Sequence, residues 1–318
     1  MDKYILQDIT KDDAIDLFSL KGSKLMDLYS VANKVREKYC GNELYTCTIS
    51  NAKCGICEEN CKFCAQSSHY NTKIEAYGLK TVEELTKELD IAVEIGSENF
   101  GIVTSGSTIN INSIEFEKLK EFYKENNKKN IKSCASIGYL TYEAAISLKE
   151  SGLTRYHNNL QTSVESYRDI VATTHSINDR INSIKNAKKA GLKVCSGGII
   201  GMGETDRDLV SMAFTLKELD VDCIPINILN PIKGTPFENY NIESIERILK
   251  MIAIYRLILK DKNIKITAGR ESILKDFMGM AFMCGANSLM IGGYLTIKGR
   301  SIEEDKKLVN DIKKMWGI

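Results

Sequence analysis

The chain has 318 residues, 43% of them hydrophobic and 27% charged, with a formal net charge of +1. This composition is typical of a soluble globular protein, and the near-neutral charge gives no support for binding nucleic acid or an anionic membrane. We find no membrane-length apolar run and no secretion-signal pattern at the N-terminus, so we expect a cytoplasmic protein whose ten cysteines stay reduced.

Short β-rich runs alternate with longer amphipathic runs after a charged, helix-patterned segment over residues 1–43. The predicted strands cover 44–50, 99–104, 132–137, 154–160, 193–200, 222–229, 263–268 and 287–293. The predicted helices lie near 82–95, 115–126, 142–151, 178–190, 206–219, 242–259, 271–284 and 303–315. Eight strand–helix repeats predict an α/β protein with a (β/α)8 TIM-type barrel over 44–318 and an N-terminal helical extension over 1–43. A doubly wound open sheet is the alternative.

A cysteine loop follows the first predicted strand, with Cys57, Cys61 and Cys64 in the spacing C-x3-C-x2-C. In barrels of this type the chemistry lies at the C-terminal ends of the strands, which is where this loop falls. Three such thiolates can hold a [4Fe–4S] cluster whose fourth iron stays open to a small molecule. A zinc knuckle that adds Cys54 is the alternative, although structural zinc sites usually separate their ligand pairs by roughly a dozen residues or more.

Further motifs occur in chain order, at residues 50–67, 156–163, 193–205, 225–227, 233–236 and 268–271. Together they resemble the biotin synthase family of radical S-adenosylmethionine (SAM) enzymes. The resemblance implies that Cys57, Cys61 and Cys64 bind a [4Fe–4S] cluster that cleaves SAM to a 5′-deoxyadenosyl radical. This radical would abstract hydrogen from dethiobiotin, and an auxiliary iron–sulfur cluster would donate the sulfur of biotin. A homodimer and a flavodoxin or ferredoxin reductant are also implied.

The resemblance further implies that three cysteines and an arginine on the barrel strands bind the auxiliary cluster. Cys134, Cys195 and Arg270 match three of these positions, but Gly101 stands where the remaining cysteine is expected. Cys54 occupies a position where the family typically has serine or threonine. We therefore expect Cys54 to join Cys134 and Cys195 on the auxiliary cluster, either a [2Fe–2S] or a four-iron variant; a spare loop thiol is the alternative.

Four polar residues match family positions for SAM or substrate contacts, and they are Asn159, Gln161, Arg180 and Asn227. Side-chain amides offer donors and acceptors that suit a ureido ring or ribose hydroxyls. Gln161 stands where the family commonly has an acidic residue, and the pair His157-Asn158 reverses the usual order. Arg180 falls in the first turn of a predicted helix, which is equally consistent with a surface charge.

Two other functions are compatible with the cysteine loop. One is a different radical SAM barrel enzyme, of the hydrogenase-maturation or methylornithine-forming type, although the strand positions of Cys134, Cys195 and Arg270 argue against it. The other is a non-catalytic iron–sulfur or zinc carrier. A carrier has no need of substrate amides at a barrel mouth and would not cleave SAM.

Overall fold

The structure is a computed structural model that describes residues 1–293 and 299–318, with a closed parallel sheet at its centre. Its strands are β1 (Tyr45–Lys53), β2 (Asn99–Thr104), β3 (Lys132–Ser136), β4 (Arg155–His157), β5 (Lys193–Cys195), β6 (Gly198–Ile200), β7 (Cys223–Ile228), β8 (Asn263–Ile266) and β9 (Ser288–Met290). The order is β5-β4-β3-β2-β1-β9-β8-β7-β6, and a further β5–β7 pairing closes the ring. Because β5 and β6 are halves of one predicted strand, the barrel has eight strand positions, and the predicted (β/α)8 fold is confirmed.

Helices surround this barrel. They are α1 (Lys11–Asp16), α2 (Gly22–Cys40), α3 (Val82–Glu94), α4 (Ile114–Asn126), α5 (Tyr142–Glu150), α6 (Tyr167–Ile170), α7 (Ile177–Lys189), α8 (Asp206–Glu218), α9 (Ile245–Ile258), α10 (Arg270–Ile273), α11 (Met278–Met283) and α12 (Ile302–Met315). The predicted helix over 271–284 is instead α10 and α11 joined by a 3-10 turn, and α6 was not predicted. None of the helices in the described ranges combines the length and apolar character that crossing a bilayer requires.

The helix starts are fixed by local hydrogen bonds that the sequence encodes. At α3 the Thr81 hydroxyl accepts from the Glu84 backbone N–H, while the Glu84 carboxylate accepts from the Thr81 N–H. Similar reciprocal pairs begin α7, α8 and α12. These capping boxes satisfy N–H groups that a helix leaves without partners, so the loops before these helices end at defined residues.

The N-terminal segment packs on the outside of the barrel. Helix α2 lies against α9, and the ammonium of Lys250 on α9 donates to the backbone oxygen of Phe18 at 2.7 Å. The guanidinium of Arg36 on α2 lies 3.7 Å from the centre of the Trp316 ring, near the end of the chain. This segment thus covers apolar helix faces and leaves the barrel interior to the strands.

Side chains alternate along each strand, so every second residue faces the barrel interior. Cys47 and Ile49 of β1, Cys134 and Ser136 of β3, and Lys265 of β8 are inward-facing and line a cavity of about 550 Å³. The outward-facing residues pack against the helices. For example, the ring centroids of Phe100 of β2 and Phe122 of α4 are 6.3 Å apart. The fold therefore directs polar strand residues into one interior space.

The fifth strand position is interrupted at Ser196 and Gly197, between β5 and β6. The Gly197 N–H donates to the side-chain oxygen of Asn159 at 2.9 Å, and the Ser196 N–H donates to the Cys223 carbonyl at 2.9 Å. A Cβ atom on Gly197 would lie 2.0 Å from the backbone oxygen of Pro225. Only glycine fits this close approach, and the break brings the Asn159 amide to the backbone.

Substituting Gly197→Ala is expected to lower the free energy of unfolding by about 2 kcal/mol, because the new methyl group must displace the β7 backbone. Urea unfolding followed by circular dichroism measures this change. Gly279→Ala is the matched control, since no heavy atom lies within 4 Å of a Cβ there and the residue is in helix α11. Equal stability of the Gly197→Ala and Gly279→Ala proteins would contradict the prediction.

Candidate functional site

The loop after β1 folds back on itself and carries three cysteines at the C-terminal end of the barrel. The Cys57 N–H donates to the Gln66 carbonyl at 3.0 Å, and the Ser68 N–H donates to the Cys57 carbonyl at 2.8 Å. Within the loop, the Cys64 N–H donates to the Cys61 carbonyl at 3.0 Å. These bonds bring together the three thiols that the spacing C-x3-C-x2-C predicts.

The thiols of this loop influence one another electrostatically. Burial is the main cause that raises the pKa of Cys61 to about 12 and that of Cys64 to about 11; the neighbouring thiols act in the same direction, and the Arg180 charge opposes them. Thiolates so disfavoured need a nearby cation to form. Iron supplies that charge, so the three side chains fit the open [4Fe–4S] cluster expected from their spacing.

Cys54 is held at the start of the cysteine loop by its backbone. Its backbone forms an isolated antiparallel bridge with Tyr77, with N–H to oxygen distances of 3.1 and 3.0 Å. Within residues 1–293 and 299–318, no three His, Cys, Asp or Glu side chains converge closely enough to hold a single metal ion. A four-iron cluster holds its thiolates farther apart than one ion does, so the geometry disfavours a zinc knuckle and leaves the cluster unaffected.

A cavity of about 160 Å³ adjoins the cysteine loop. Cys57 and Cys61 line one side, and residues at the ends of β2 to β4 line the other. The Thr104 hydroxyl oxygen and the Gln161 side-chain oxygen are buried there without a hydrogen-bond partner among the described residues. Free acceptors beside an iron site suit a ligand with hydroxyl groups, such as the ribose of SAM.

Arg180 reaches this smaller cavity from the first turn of α7. Its guanidinium donates to the Asn158 side-chain oxygen at 3.2 Å, to the Asn159 carbonyl at 3.0 Å and to the Tyr167 hydroxyl. The interpretation of Arg180 as a surface charge is therefore wrong. Its fixed position places a permanent positive charge between the cysteine loop and the polar ends of the strands.

The larger cavity extends from Cys64 into the barrel and shares part of its lining with the smaller one. Ser136, His157, Asn159 and Gln161 line both. Burial lowers the pKa of His157 to about 3, so the ring is neutral, and its Nδ1 lies 3.0 Å from the Ser136 hydroxyl. Ligands bound in the two cavities would therefore contact each other beside these residues.

Asn227 also lines the larger cavity, but its amide is engaged within the protein. The nitrogen donates to the Gly198 carbonyl at 3.2 Å, and the oxygen accepts from the Thr267 hydroxyl at 2.8 Å. Such bonds fix the orientation of the amide plane. Asn227 can therefore offer only its remaining hydrogen and lone pair to a ligand.

Four cysteines form a layer in the barrel: Cys47 of β1, Cys134 of β3, Cys195 of β5 and Cys223 of β7. The first three come from alternate strand positions, and Cys223 lies beside Cys195 on the neighbouring strand. The first three line the larger cavity, and the Cys223 thiol contacts that of Cys195. Barrel interiors are built from layers to which alternate strands contribute, and Cys47, Cys134 and Cys195 follow that pattern. We call this set the thiol layer.

Two cations lie against the thiol layer. Lys265 of β8 lines the cavity; burial lowers its pKa, but the surrounding thiols outweigh this and raise it well above its ordinary value. Arg155 of β4 donates to the Asn99 side-chain oxygen at 3.1 Å. A hydrogen bond from the Cys195 thiol, together with the charges of Lys265 and Arg155, lowers the pKa of Cys223 against the opposing effect of burial. Cations around thiols suit an anionic group, and an iron–sulfur cluster with its thiolates and sulfides is one.

The structure does not bring Arg270 to the thiol layer. Its guanidinium donates to the Asp305 carboxylate at 2.7 Å and to the Met290 carbonyl at 3.0 Å, and both charged side chains are fully buried. Arg270 and Cys54 are both absent from the residues that line the cavity. The cation there is Lys265, five residues before Arg270. Ligation of an auxiliary cluster by Arg270 or Cys54 stays a prediction that this cavity lining does not support, whereas Cys134 and Cys195 both line the cavity.

Gly101 does line the cavity, as the motif comparison implies. A Cβ built there would lie 3.7 Å from the Cβ of Cys134, so a cysteine at this position would join the thiol layer. Cys47, on the neighbouring strand β1, provides a thiol instead. Sequence reasoning missed Cys47 and Lys265 as members of the site, because a lone cysteine or lysine within a strand does not show which residues of other strands it meets.

Comparison with known proteins agrees with the barrel and its cysteine loop. A family model described as the radical SAM superfamily matches residues 53–216, and one described as the biotin and thiamin synthesis associated domain matches residues 225–313. These matches place the chain among the radical SAM enzymes.

The relatives define the family more closely. A biotin synthase from Clostridium tetani is 46% identical over 311 residues, covering 97% of this chain and 94% of the relative. A biotin synthase from Carboxydothermus hydrogenoformans is 43% identical over 305 residues, covering 96% and 94%. The chain belongs to the biotin synthase family.

A solved structure of methylornithine synthase has a TM-score of 0.82 to this chain at 22% identity and covers 99% of it and 95% of the other protein. At this identity the likeness shows a shared fold alone. The cysteine loop and the fold are compatible with both a biotin synthase and a methylornithine-forming enzyme, and it is the sequence identity that favours the biotin synthase family.

Proposed function

We propose that this chain is the enzyme that converts dethiobiotin to biotin, with its reacting centre where the two cavities meet. The observation that carries the proposal is the shared lining at Ser136, His157, Asn159 and Gln161. With this shared lining, a ligand beside the cysteine loop would contact a ligand inside the barrel. The thiol layer lies on the wall of the same cavity, so the substrate would lie between SAM and the sulfur donor.

Cys57, Cys61 and Cys64 are the proposed ligands of the [4Fe–4S] cluster. When bound, this cluster and SAM supply one-electron chemistry able to remove hydrogen from an unactivated carbon, and the auxiliary cluster supplies sulfur. Arg180 faces the SAM side, and Asn159 and Gln161 lie where the SAM and substrate sides meet. Asn227, held by Gly198 and Thr267, faces the substrate side.

For the auxiliary cluster we propose Cys47, Cys134 and Cys195 as ligands, with Cys223 as the adjoining fourth thiol. This set replaces Cys54 by Cys47 because only the latter lines the cavity. Lys265 takes the place expected for Arg270, as a cation that balances the charge of thiolates and sulfides.

The rest of the cavity wall suits dethiobiotin, a ureido ring with an aliphatic chain. Ile49, Val103 and Ile228 supply apolar surface, while Asn159 and Asn227 supply amides that pair with a ureido group. An apolar wall also keeps water from the reacting carbons. The apolar residues would thus hold the aliphatic chain of dethiobiotin, and the amides would orient its ureido ring.

The wider setting is also proposed. We infer a cytoplasmic homodimer that receives electrons from a flavodoxin or ferredoxin, as the family resemblance suggests. We further propose that residues 1–43 are a helical extension and that 44–318 form one barrel domain, of which 294–298 lie outside the described residues.

Anaerobic incubation of the reconstituted protein with SAM, dethiobiotin and a strong reductant is expected to give 5′-deoxyadenosine and biotin together, measured by mass spectrometry. Cys61→Ala should yield neither, because the loop then lacks one iron ligand. Deoxyadenosine without biotin from the wild-type chain would keep the radical SAM class and overturn the substrate or sulfur donor. If protein that holds its clusters forms neither product, the result would favour the alternative function of an iron–sulfur carrier.

A further inference from the structure

A chain of polar contacts links the cysteine loop to Arg180 through His175. Glu59 lies between Cys57 and Cys61 in sequence, and its carboxylate is 2.8 Å from Nδ1 of His175. Nε2 of His175 lies 3.1 Å from the Arg180 guanidinium and 3.7 Å from the Cys61 sulfur. The His175 side chain is 3% exposed. The ring therefore sits between a cluster thiol and a buried positive charge.

The partners of His175 determine which nitrogen donates. A guanidinium has only donors, so Arg180 donates to Nε2, and a carboxylate has only acceptors, so Nδ1 donates to Glu59. The ring is also held between two aromatic side chains, with centroid distances of 5.7 Å to Tyr139 and 5.8 Å to Tyr167. Neither rotation nor a ring flip keeps both hydrogen bonds.

Asn60, and not the contact between His175 and Arg180, ties the cysteine loop to the segment before α7. The Asn60 side-chain oxygen accepts from the Thr173 N–H at 2.9 Å and the Thr174 N–H at 3.2 Å, and its nitrogen donates to the Thr173 hydroxyl at 2.7 Å. These bonds tie the loop to the segment before α7. The contact of His175 with Arg180 adds nothing to this tie, and its effect is on the position of a charge.

We propose that His175 is a positioning residue that holds the Arg180 guanidinium beside Cys61 and thereby raises the reduction potential of the cluster in the cysteine loop. A fixed positive charge near the cluster stabilises the reduced form, which carries one more negative charge. This inference rests on the proposed function only in requiring that Cys57, Cys61 and Cys64 bind the cluster.

The test is a redox titration of the anaerobically reconstituted full chain, following the electron paramagnetic resonance signal of the reduced cluster that changes when SAM is added. His175→Leu fills the space of the ring but can neither donate nor accept, so Arg180 loses one anchor. We expect the ratio of reduced to oxidised cluster at a given potential to be about tenfold smaller, which is a shift of the reduction potential by about 59 mV toward negative values. His175→Gln keeps one donor and one acceptor and is expected to restore the wild-type potential.

His69→Leu is the matched control, because His69 is an exposed histidine of the same loop whose Nε2 lies 2.9 Å from the Glu58 carbonyl. It should leave the potential unchanged. Tyr167→Phe removes another acceptor of Arg180 and should shift the potential in the same direction as His175→Leu, so the test does not depend on one variant folding. Iron and sulfide counts establish that each protein carries its clusters.

A wild-type potential in both His175→Leu and Tyr167→Phe would overturn the proposal, and so would an equal shift in His69→Leu or His175→Gln. Biotin formation is assayed separately with the wild-type chain. The expected potential shifts without biotin would overturn the proposed function and leave the role of His175 intact, whereas biotin without the shifts would do the reverse.

Discussion

Replacing Cys47 with alanine is expected to abolish biotin formation while release of 5′-deoxyadenosine from SAM continues. The substitution removes one thiol from the wall of the larger cavity and leaves the cysteine loop untouched. Without a full ligand set the auxiliary cluster is lost, and with it the sulfur. Hydrogen abstraction depends on the loop cluster alone, so the variant should form 5′-deoxyadenosine but no biotin.

Iron and sulfide counts, with Mössbauer spectra of the purified protein, measure this loss directly. Cys284→Ala is the matched control, since Cys284 is a fully buried thiol at the end of α11, outside the thiol layer. It should keep both clusters and form biotin. Cys54→Ala tests the ligand expected from the loop sequence. An auxiliary cluster lost in Cys54→Ala and kept in Cys47→Ala would contradict the assignment made from the cavity.

Arg270→Met is expected to lower the free energy of unfolding by about 3–5 kcal/mol, because it leaves the buried Asp305 carboxylate without its closest cation. The ion pair is 2.7 Å long, and Arg270 also donates to the Met290 carbonyl. It therefore joins the segment after β8, the end of β9 and the first turn of α12. Losing one side chain loosens three elements around the barrel mouth.

Urea unfolding under anaerobic conditions checks the size of this effect. Lys87→Met is the control, because Lys87 and Glu83 form an exposed ion pair at 2.7 Å, for which no measurable change is expected. Iron content per folded chain should stay at the wild-type value in Arg270→Met. A variant of normal stability that has lost iron would instead support Arg270 as a cluster ligand.

The strands and most helices could be predicted because their signals are local. Hydrophobic alternation and capping residues act within a few positions, and the eight predicted strand regions all contain strands. The break at Gly197 could not be foreseen, since its cause is the Pro225 backbone, which lies 28 positions farther along the chain. The split of the predicted helix over 271–284 has no sequence signal that we recognise.

The site divides in the same way. Cys57, Cys61 and Cys64 could be assigned because they share one short loop whose spacing encodes the ligand geometry. Cys47 and Lys265 could not, because their meeting depends on the register of strands far apart in sequence. Strand β1 runs to Lys53, three residues beyond the predicted end, which places Cys54 next to Tyr77 instead of at a free loop position.

The thiol layer has a meaning beyond ligand supply. In most barrels of this kind the same level is a disc of branched apolar side chains that holds the strands together. In the proposed arrangement iron and sulfide would take that part, so the cofactor would also be core material, and its loading would be linked to the stability of the fold. An enzyme that gives up sulfur from such a cluster dismantles a piece of its own centre with each product. With the proposed ligands, rebuilding the cluster after each product would also restore the packing of the barrel interior.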